Sequence, residues 1–281
     1  MIRIITDSAA DFSREELEQN RIDSVPLQIA FGDDTFADNN EDLPAGAFWS
    51  RLNAGENPKT SQPSPEAFLR LFEEARADGD EVICVLLSSA LSGTFQSALL
   101  ARDMLDDAPV VLVDSLLATI GEKLLVLHAC RLRDKGLSAG DIASELERFK
   151  TRIRVLGCLN TLDNLARGGR IPKAAANLGT LVQLKPLVTL TPDGQITLAG
   201  KGMGLHRATD ALIKLTLERP ADPAYPILPL YTHTTENCAA FIRKLNQAGF
   251  ACDMAVAMPV GPTIATHLGP SAFGIAYVTA E

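Results

Sequence analysis

The sequence predicts an α/β protein of two domains, an N-terminal parallel-sheet α/β domain over 1–154 and a C-terminal mixed α/β domain over 155–281. Three observations carry that expectation. Short β-rich runs alternate with helical patterns through the first half, which implies a parallel sheet with helices on both faces. Glu81–Leu87 is nearly all apolar, as a strand buried on both faces must be. Beyond residue 154 the texture changes, and a hairpin pattern appears around Pro192-Asp193-Gly194.

Taken in order, Ile2 to Thr6 reads as the first strand, bounded by Asp7-Ser8. Ser13 and Glu16 form a capping box, with Phe12 and Leu17 placed as a hydrophobic staple. Val25 to Ala30 reads as a second strand, and a helix follows Pro44 carrying Phe48, Trp49 and Leu52. Lys59 to Pro65 reads as a polar, proline-stiffened loop that opens into a helix capped by Ser64. That helix has Phe68, Leu69 and Phe72 on one face and ends at Gly79. After the apolar strand, Ser88 to Thr94 turns into a helix expected to face inward with Phe95, Leu99, Leu100 and Met104. Val110 to Val113 is the next strand, ending at Asp114-Ser115. Helices are expected over 118–135, stopped by Gly136, and over 139–151, opened by Ser138.

In the second half, Val155 to Leu159 reads as a strand, and Gly168-Gly169-Arg170 breaks the stretch that follows it. Lys185–Leu190 and Gln195–Ala199 form the hairpin. A helix is expected from about Ala208, a strand at Ile227–Tyr231, a helix from Thr235 to Ala248 and a strand at Cys252–Met258. Gly261 to Pro270 reads as a loop or short helix before a last strand, Phe273–Val278.

Composition narrows the function. With 35 acidic and 26 basic residues the formal net charge is −9, which argues against a general nucleic-acid surface. Five cysteines without a C-x-x-C pair fit reduced, buried thiols in a cytoplasmic protein. The N-terminus lacks a signal peptide's apolar region, and no apolar run approaches the ~20 residues of a membrane span. No phosphate-binding G-x-x-x-x-G-K-[ST] loop occurs, and Gly200 to Gly204 lacks dinucleotide spacing. The histidines His128, His206, His233 and His267 are scattered without metal-ligand spacing, so neither metal nor cofactor is expected.

Three strand ends carry small hydroxyl or acidic residues: Asp7-Ser8, Ser88-Ser89 and Asp114-Ser115. Ligands of open α/β sheets sit beyond the carboxyl ends of the strands, so these residues mark one rim. Ser88 to Thr94 admits three readings: a helix cap, an anion site built from backbone N–H groups, or a nucleophile turn around Ser92. For the last, Ala90 stands where the first glycine of G-x-S-x-G belongs. Thr60, Ser61 and His267 lie in polar or Gly/Pro-bounded stretches where functional residues concentrate.

Together these stretches resemble the DegV family of bacterial fatty-acid-binding proteins. The matching motifs run in order: Ile5 to Asp11, Lys59 to Ser64, Leu87 to Thr94, Val113-Asp114-Ser115, Arg167 to Ile171, Lys185-Pro186, Gly261-Pro262 and His267 to Pro270. The resemblance implies a two-domain α/β protein of the EDD fold that is a carrier and not an enzyme. It would bury a long-chain fatty acid between or within its domains and present the carboxyl to a fatty acid kinase. Carried over by motif, Thr60, Ser61 and Ser92 would hold the carboxyl and His267 would support them. Arg170, Ser89 and Lys201 would lie near the opening. One departure stands out: Met203 occupies the place of an arginine in the family's pattern, so either another cation, Lys201, His206 or Arg207, substitutes or the head-group end is less electropositive. Two other readings remain open, a serine-dependent lipid hydrolase or acyltransferase using Ser92, His267 and Asp114, and a lipid-responsive regulatory module.

Overall fold

The computed structural model describes residues 1–106, 109–172 and 183–280. The chain forms two compact units, Met1–Thr151 and Arg152–Glu281. Their α/β character is as the sequence predicts.

In the first unit, β1 (Ile2–Asp7), β2 (Ile22–Val25), β6 (Glu81–Leu86) and β7 (Val110–Asp114) form a parallel sheet in the order β2-β1-β6-β7. Helix α1 (Arg14–Asn20) links β1 to β2 and opens with the expected capping box. Ser13 accepts from the Glu16 N–H while the Glu16 carboxylate accepts from the Ser13 N–H. One sheet face, with Ile5, Val82, Cys84 and Leu86, packs on Phe68 and Phe72 of α3 (Pro65–Asp78) and on α4 (Thr94–Asp103). The alternate residues Ile4, Ile83 and Val85 are equally buried on the other face, where α5 (Thr119–Asp134) and α6 (Ala139–Phe149) contact the strands.

Three local expectations need correction here. Val25–Ala30 is not one strand: β2 ends at Val25 and β3 (Gln28–Phe31) belongs to a separate antiparallel sheet, β4-β3-β5. Pro26 lies between them and has no N–H with which to continue a ladder, so the chain changes sheets there. Lys59–Ser61 is no loop but the strand β5, paired with Gln28–Ala30 on the opposite side of β3 from β4 (Asp34–Ala37). Finally, α4 turns its small residues inward. Thr94, Ser97, Ala98 and Ala101 are buried, Phe95 and Leu99 only partly so, and Leu100 and Met104 are exposed. The phenylalanines of α3 already fill the space above the sheet, and short side chains let α4 close onto them. Helix α2 (Ala45–Asn53) follows Pro44 as expected and buries Phe48 and Trp49.

The second unit is built on six strands in the order β10-β9-β8-β13-β11-β12. They are β8 (Ile153–Cys158), β9 (Leu184–Leu190), β10 (Ile196–Met203), β11 (Leu228–Tyr231), β12 (Met258–Pro259) and β13 (Phe273–Val278). All neighbours are antiparallel except β11 and β12. The C-terminal strand β13 thus enters the middle of the sheet. Helices α8 (Gly204–Leu217) and α9 (Glu236–Gln247) bury Ala208, Leu212, Phe241 and Leu245 against Leu156, Phe273, Ile275 and Tyr277. A smaller cluster, Leu159, Leu162, Leu165, Ile171, Val188 and Ala272, gathers around α7 (Asp163–Arg167).

Here too some boundaries move. β10 runs on through Lys201 to Met203 and α8 starts at Gly204, so the glycine-rich stretch is a strand end folding back into a helix. A β-carbon at Gly202 would strike the backbone of Arg207 and Ala208, which is why the reversal needs glycine. Cys252–Met258 is not a strand. Its centre is a 3-10 turn, Met254–Val256, capped by Asp253 accepting from the Ala255 N–H, and only Met258–Pro259 joins the sheet. Gly261–Pro270 contains the short helix α10 (Pro262–Leu268).

Candidate functional site

The strand order of the parallel sheet reverses between β1 and β6, and the crevice beyond the carboxyl ends of such strands is where open α/β sheets take ligands. Asp7 closes the floor of this crevice. Its carboxyl is buried and accepts from the N–H groups of Ala9 at 2.9 Å and Leu87 at 2.8 Å, tying the end of β1 to the end of β6. Burial pushes its pKa up to about 7, with the two N–H donors pulling the other way. Beneath it Glu122 of α5 is fully buried, takes a long bond from the Thr6 hydroxyl at 3.4 Å and has its second oxygen unpaired among the described residues. Burial, with Asp7 next in importance, holds Glu122 well above the usual carboxylate range. Burial thus favours the protonated form at both carboxyls.

The hydroxyl residues lie in the turn after β6 and on β5. Ser92 lies in the turn between β6 and α4, half-buried, and shares a 2.8 Å hydroxyl–hydroxyl bond with the fully buried Thr94, whose N–H also reaches the Ser92 oxygen at 3.3 Å. Thr60 is half-buried on β5 and Ser61 beside it is exposed. The two segments are brought together by Gln62. Its amide lies across Gly93, where a β-carbon would collide with it, and its nitrogen reaches the buried Ser97 hydroxyl at 3.4 Å. Ser89 is exposed and its N–H donates to Asp114 at 3.1 Å, as does that of Leu116. Asp114 thus ties its own turn to the one that follows β6.

In the second unit His267 stands on α10, which packs against α7. The imidazole rests on Gly168 so closely that no β-carbon fits there. Burial and, after it, the Arg170 guanidinium lower its pKa to about 4, so the ring is neutral at pH 7. Arg170 is half-buried and donates to the Gly168 carbonyl, at the same turn. Asn164 of α7 accepts from Arg167 at 3.2 Å and presses on Gly269, which has a positive φ and no room for a side chain. The Gly269 carbonyl accepts from the buried Thr232 hydroxyl at 2.7 Å, which fixes the turn after His267. Lys201 is exposed on β10, opposite Pro186, and makes no ion pair among the described residues. Met203, at the end of that strand, is also exposed.

Asn164 escaped the sequence reading, which placed Gln62 and Gly168 within motifs but gave neither a contact. Gln62 follows two singled-out hydroxyl residues, but nothing in sequence says that it reaches a turn 31 residues ahead (Gln62 to Gly93). Among the described residues no group of three or more His, Cys, Asp or Glu is placed to hold a metal ion. No described helix is long and apolar enough to cross a membrane.

This α/β fold is shared with known proteins. Residues 1–280 match the family model described as "Uncharacterised protein, DegV family", and the chain belongs to the DegV family. A DegV domain-containing protein, YteA of Lactococcus lactis, is 32% identical over 278 residues, covering 97% of this chain and 96% of that one. Among solved structures, a DegV family protein from Thermus thermophilus, described in terms of fatty acid binding, superposes with a TM-score of 0.87. The two are 31% identical, with 99% of each chain covered. The Streptococcus pneumoniae Fatty Acid Kinase (Fak) B3 protein, loaded with linoleic acid, gives a TM-score of 0.85 over 100% of both chains at 22% identity, a likeness of fold.

Proposed function

We propose that this chain binds one long-chain fatty acid in an apolar pocket and presents its carboxyl group to a separate kinase, which transfers a phosphoryl group to form an acyl phosphate. The observation that carries the reading is the contact of Gln62 with Gly93, which joins the segment of Thr60 and Ser61 to the turn of Ser92, in a fold shared end to end with a fatty-acid-binding relative. In this reading Thr60, Ser61 and Ser92 hold the carboxyl and Ser89 lies near its opening; the parts of His267 as a support and of Arg170 and Lys201 near the opening come from the family resemblance alone. The kinase is the finer part of the proposal, supported by the family resemblance and by likeness of fold to the Fak B3 protein.

The division of labour follows from magnitudes. Each buried methylene contributes ~0.8 kcal/mol, and one hydrogen bond a net ~1 kcal/mol. A long tail therefore supplies the affinity, and the hydroxyls set the orientation of the head. Neutral donors let a carboxylate enter and an acyl phosphate leave without an ion pair to trap either.

A carrier also suits Ser92 better than a nucleophile does. A serine nucleophile needs a base in hydrogen-bond reach, and the side-chain partner of Ser92 is the hydroxyl of Thr94. Mass spectrometry of lipid extracted from the purified protein, beside native mass of the intact complex, tests the reading. One fatty acid per chain is expected. A chain without lipid that takes none up on titration would overturn it.

A further inference from the structure

Within the first unit, one polar side chain near the proposed head-group site has no assigned role. Gln62 is exposed and follows the end of β5, between Ser61 and the buried Pro63. Its amide covers Gly93 and its nitrogen bonds the hydroxyl of Ser97, which is 2% exposed on α4. Ser97 in turn donates its N–H to the Gly93 carbonyl at 2.9 Å. Gly93 lies directly between Ser92 and the fully buried Thr94, whose hydroxyls are bonded to each other.

We infer that Gln62 is a positioning residue for carboxyl recognition: its amide, laid over Gly93 and anchored on Ser97, fixes β5 with Thr60 and Ser61 against the Ser92 turn. The inference rests on the carrier reading above and deepens it. β5 is three residues long and pairs with β3 at one edge of its sheet, and the turn of Ser92 and Gly93 opens α4 on a different sheet. Hydroxyls on two such segments recognise a carboxyl only if their spacing is set in advance, because ordering them at the moment of binding would weaken it. Gly93 has φ −75° and ψ 7°, values alanine adopts freely, so its substitution acts only through the collision with Gln62.

That gives two independent ways to release the same contact. Dissociation constants would be measured for a fatty acid and for the fatty alcohol of equal length, on the wild-type full chain, Gln62→Ala, Gly93→Ala and the double variant, with melting temperatures alongside. The alcohol reports the tail and the acid reports tail and head. Each single variant is expected to cut the acid-over-alcohol preference about tenfold, an effect the size of one or two hydrogen bonds. The double variant should fall no further than the singles, because both break one contact. Losses that track the melting temperature and strike acid and alcohol alike would overturn the positioning role, as would a double variant whose loss is the product of the two singles. A wild-type chain that binds neither ligand would instead sink the carrier reading, and this inference with it.

Discussion

The two units hold their candidate groups in different ways. In the first, the four-stranded sheet is parallel, β6 is buried from Val82 to Leu86 on both faces, and polar residues appear where its strands stop. The groups of interest are short hydroxyls on turns and on an edge strand. In the second, neighbouring strands run mostly antiparallel, and the last strand of the chain is inserted beside the first of the unit. There the group of interest is a ring, His267 of α10, pressed against Gly168 at the end of α7. A parallel sheet collects polar residues at one rim by topology alone. An antiparallel one does not, and the second unit fixes its histidine by close packing against glycines instead.

If that contrast is right, the largest effects should come from the cores. Phe68→Ala removes a fully buried ring from the α3 layer over the parallel sheet and should cost about 3–5 kcal/mol. Denaturant unfolding would measure it, and a cost under about 1 kcal/mol would mean the layer is not what stabilises the first unit.

Next comes the pH dependence contributed by His267. The pKa of its folded form is depressed from 6.5 to about 4, so the stability it contributes is complete above pH 6.5 and is lost as pH falls through 4. The loss should approach about 3 kcal/mol, and His267→Gln should flatten it. Melting curves of both proteins between pH 7 and pH 4 would decide, and parallel curves would show that the ring is not held neutral by burial.

The third prediction tests close packing in the antiparallel sheet. A β-carbon at Gly274 would strike the Leu156 carbonyl across β8 and β13, so Gly274→Ala should destabilise by about 1–3 kcal/mol. Asp7→Asn makes the corresponding test at the parallel rim. An amide offers one acceptor oxygen where the carboxyl offers two, so either the Ala9 or the Leu87 N–H is left unpaired at a cost of about 1–3 kcal/mol. The Leu87 amide would report its release by faster hydrogen exchange. The smallest effect belongs to Ser13→Ala, a lost cap on a mostly exposed helix, at about 1 kcal/mol in the same denaturant titrations.

Much of this architecture was legible residue by residue. Ser13 with Glu16, the apolar run of β6, Gly79 and Gly136 at helix ends, and Ser138 opening α6 are local signals, and each element formed where they predict it. The hairpin of β9 and β10 followed from its Asp-Gly turn. The misreadings share a cause. Pro26 divides two strands that look continuous, because the ladder each joins is invisible in sequence. Lys59–Ser61 looks like a loop because its strand partner, Gln28–Ala30, lies some thirty residues earlier. Leu100 and Met104 look like core residues because helical periodicity does not say that Phe68 and Phe72 have taken the space.

The sequence by itself determined the class of fold, the order of its elements, the family through motifs spread along the whole chain, and the residue types gathered at strand ends. Those follow from backbone propensity and burial, which are read over a few residues at a time. Only tertiary structure decided that Gln62 lies on Gly93, that His267 rests on Gly168, and that Asp7 joins the ends of β1 and β6. Each is a contact between segments distant in sequence. Whether such a contact forms depends on how tightly two backbones approach, and that distance is set by every side chain packed between them.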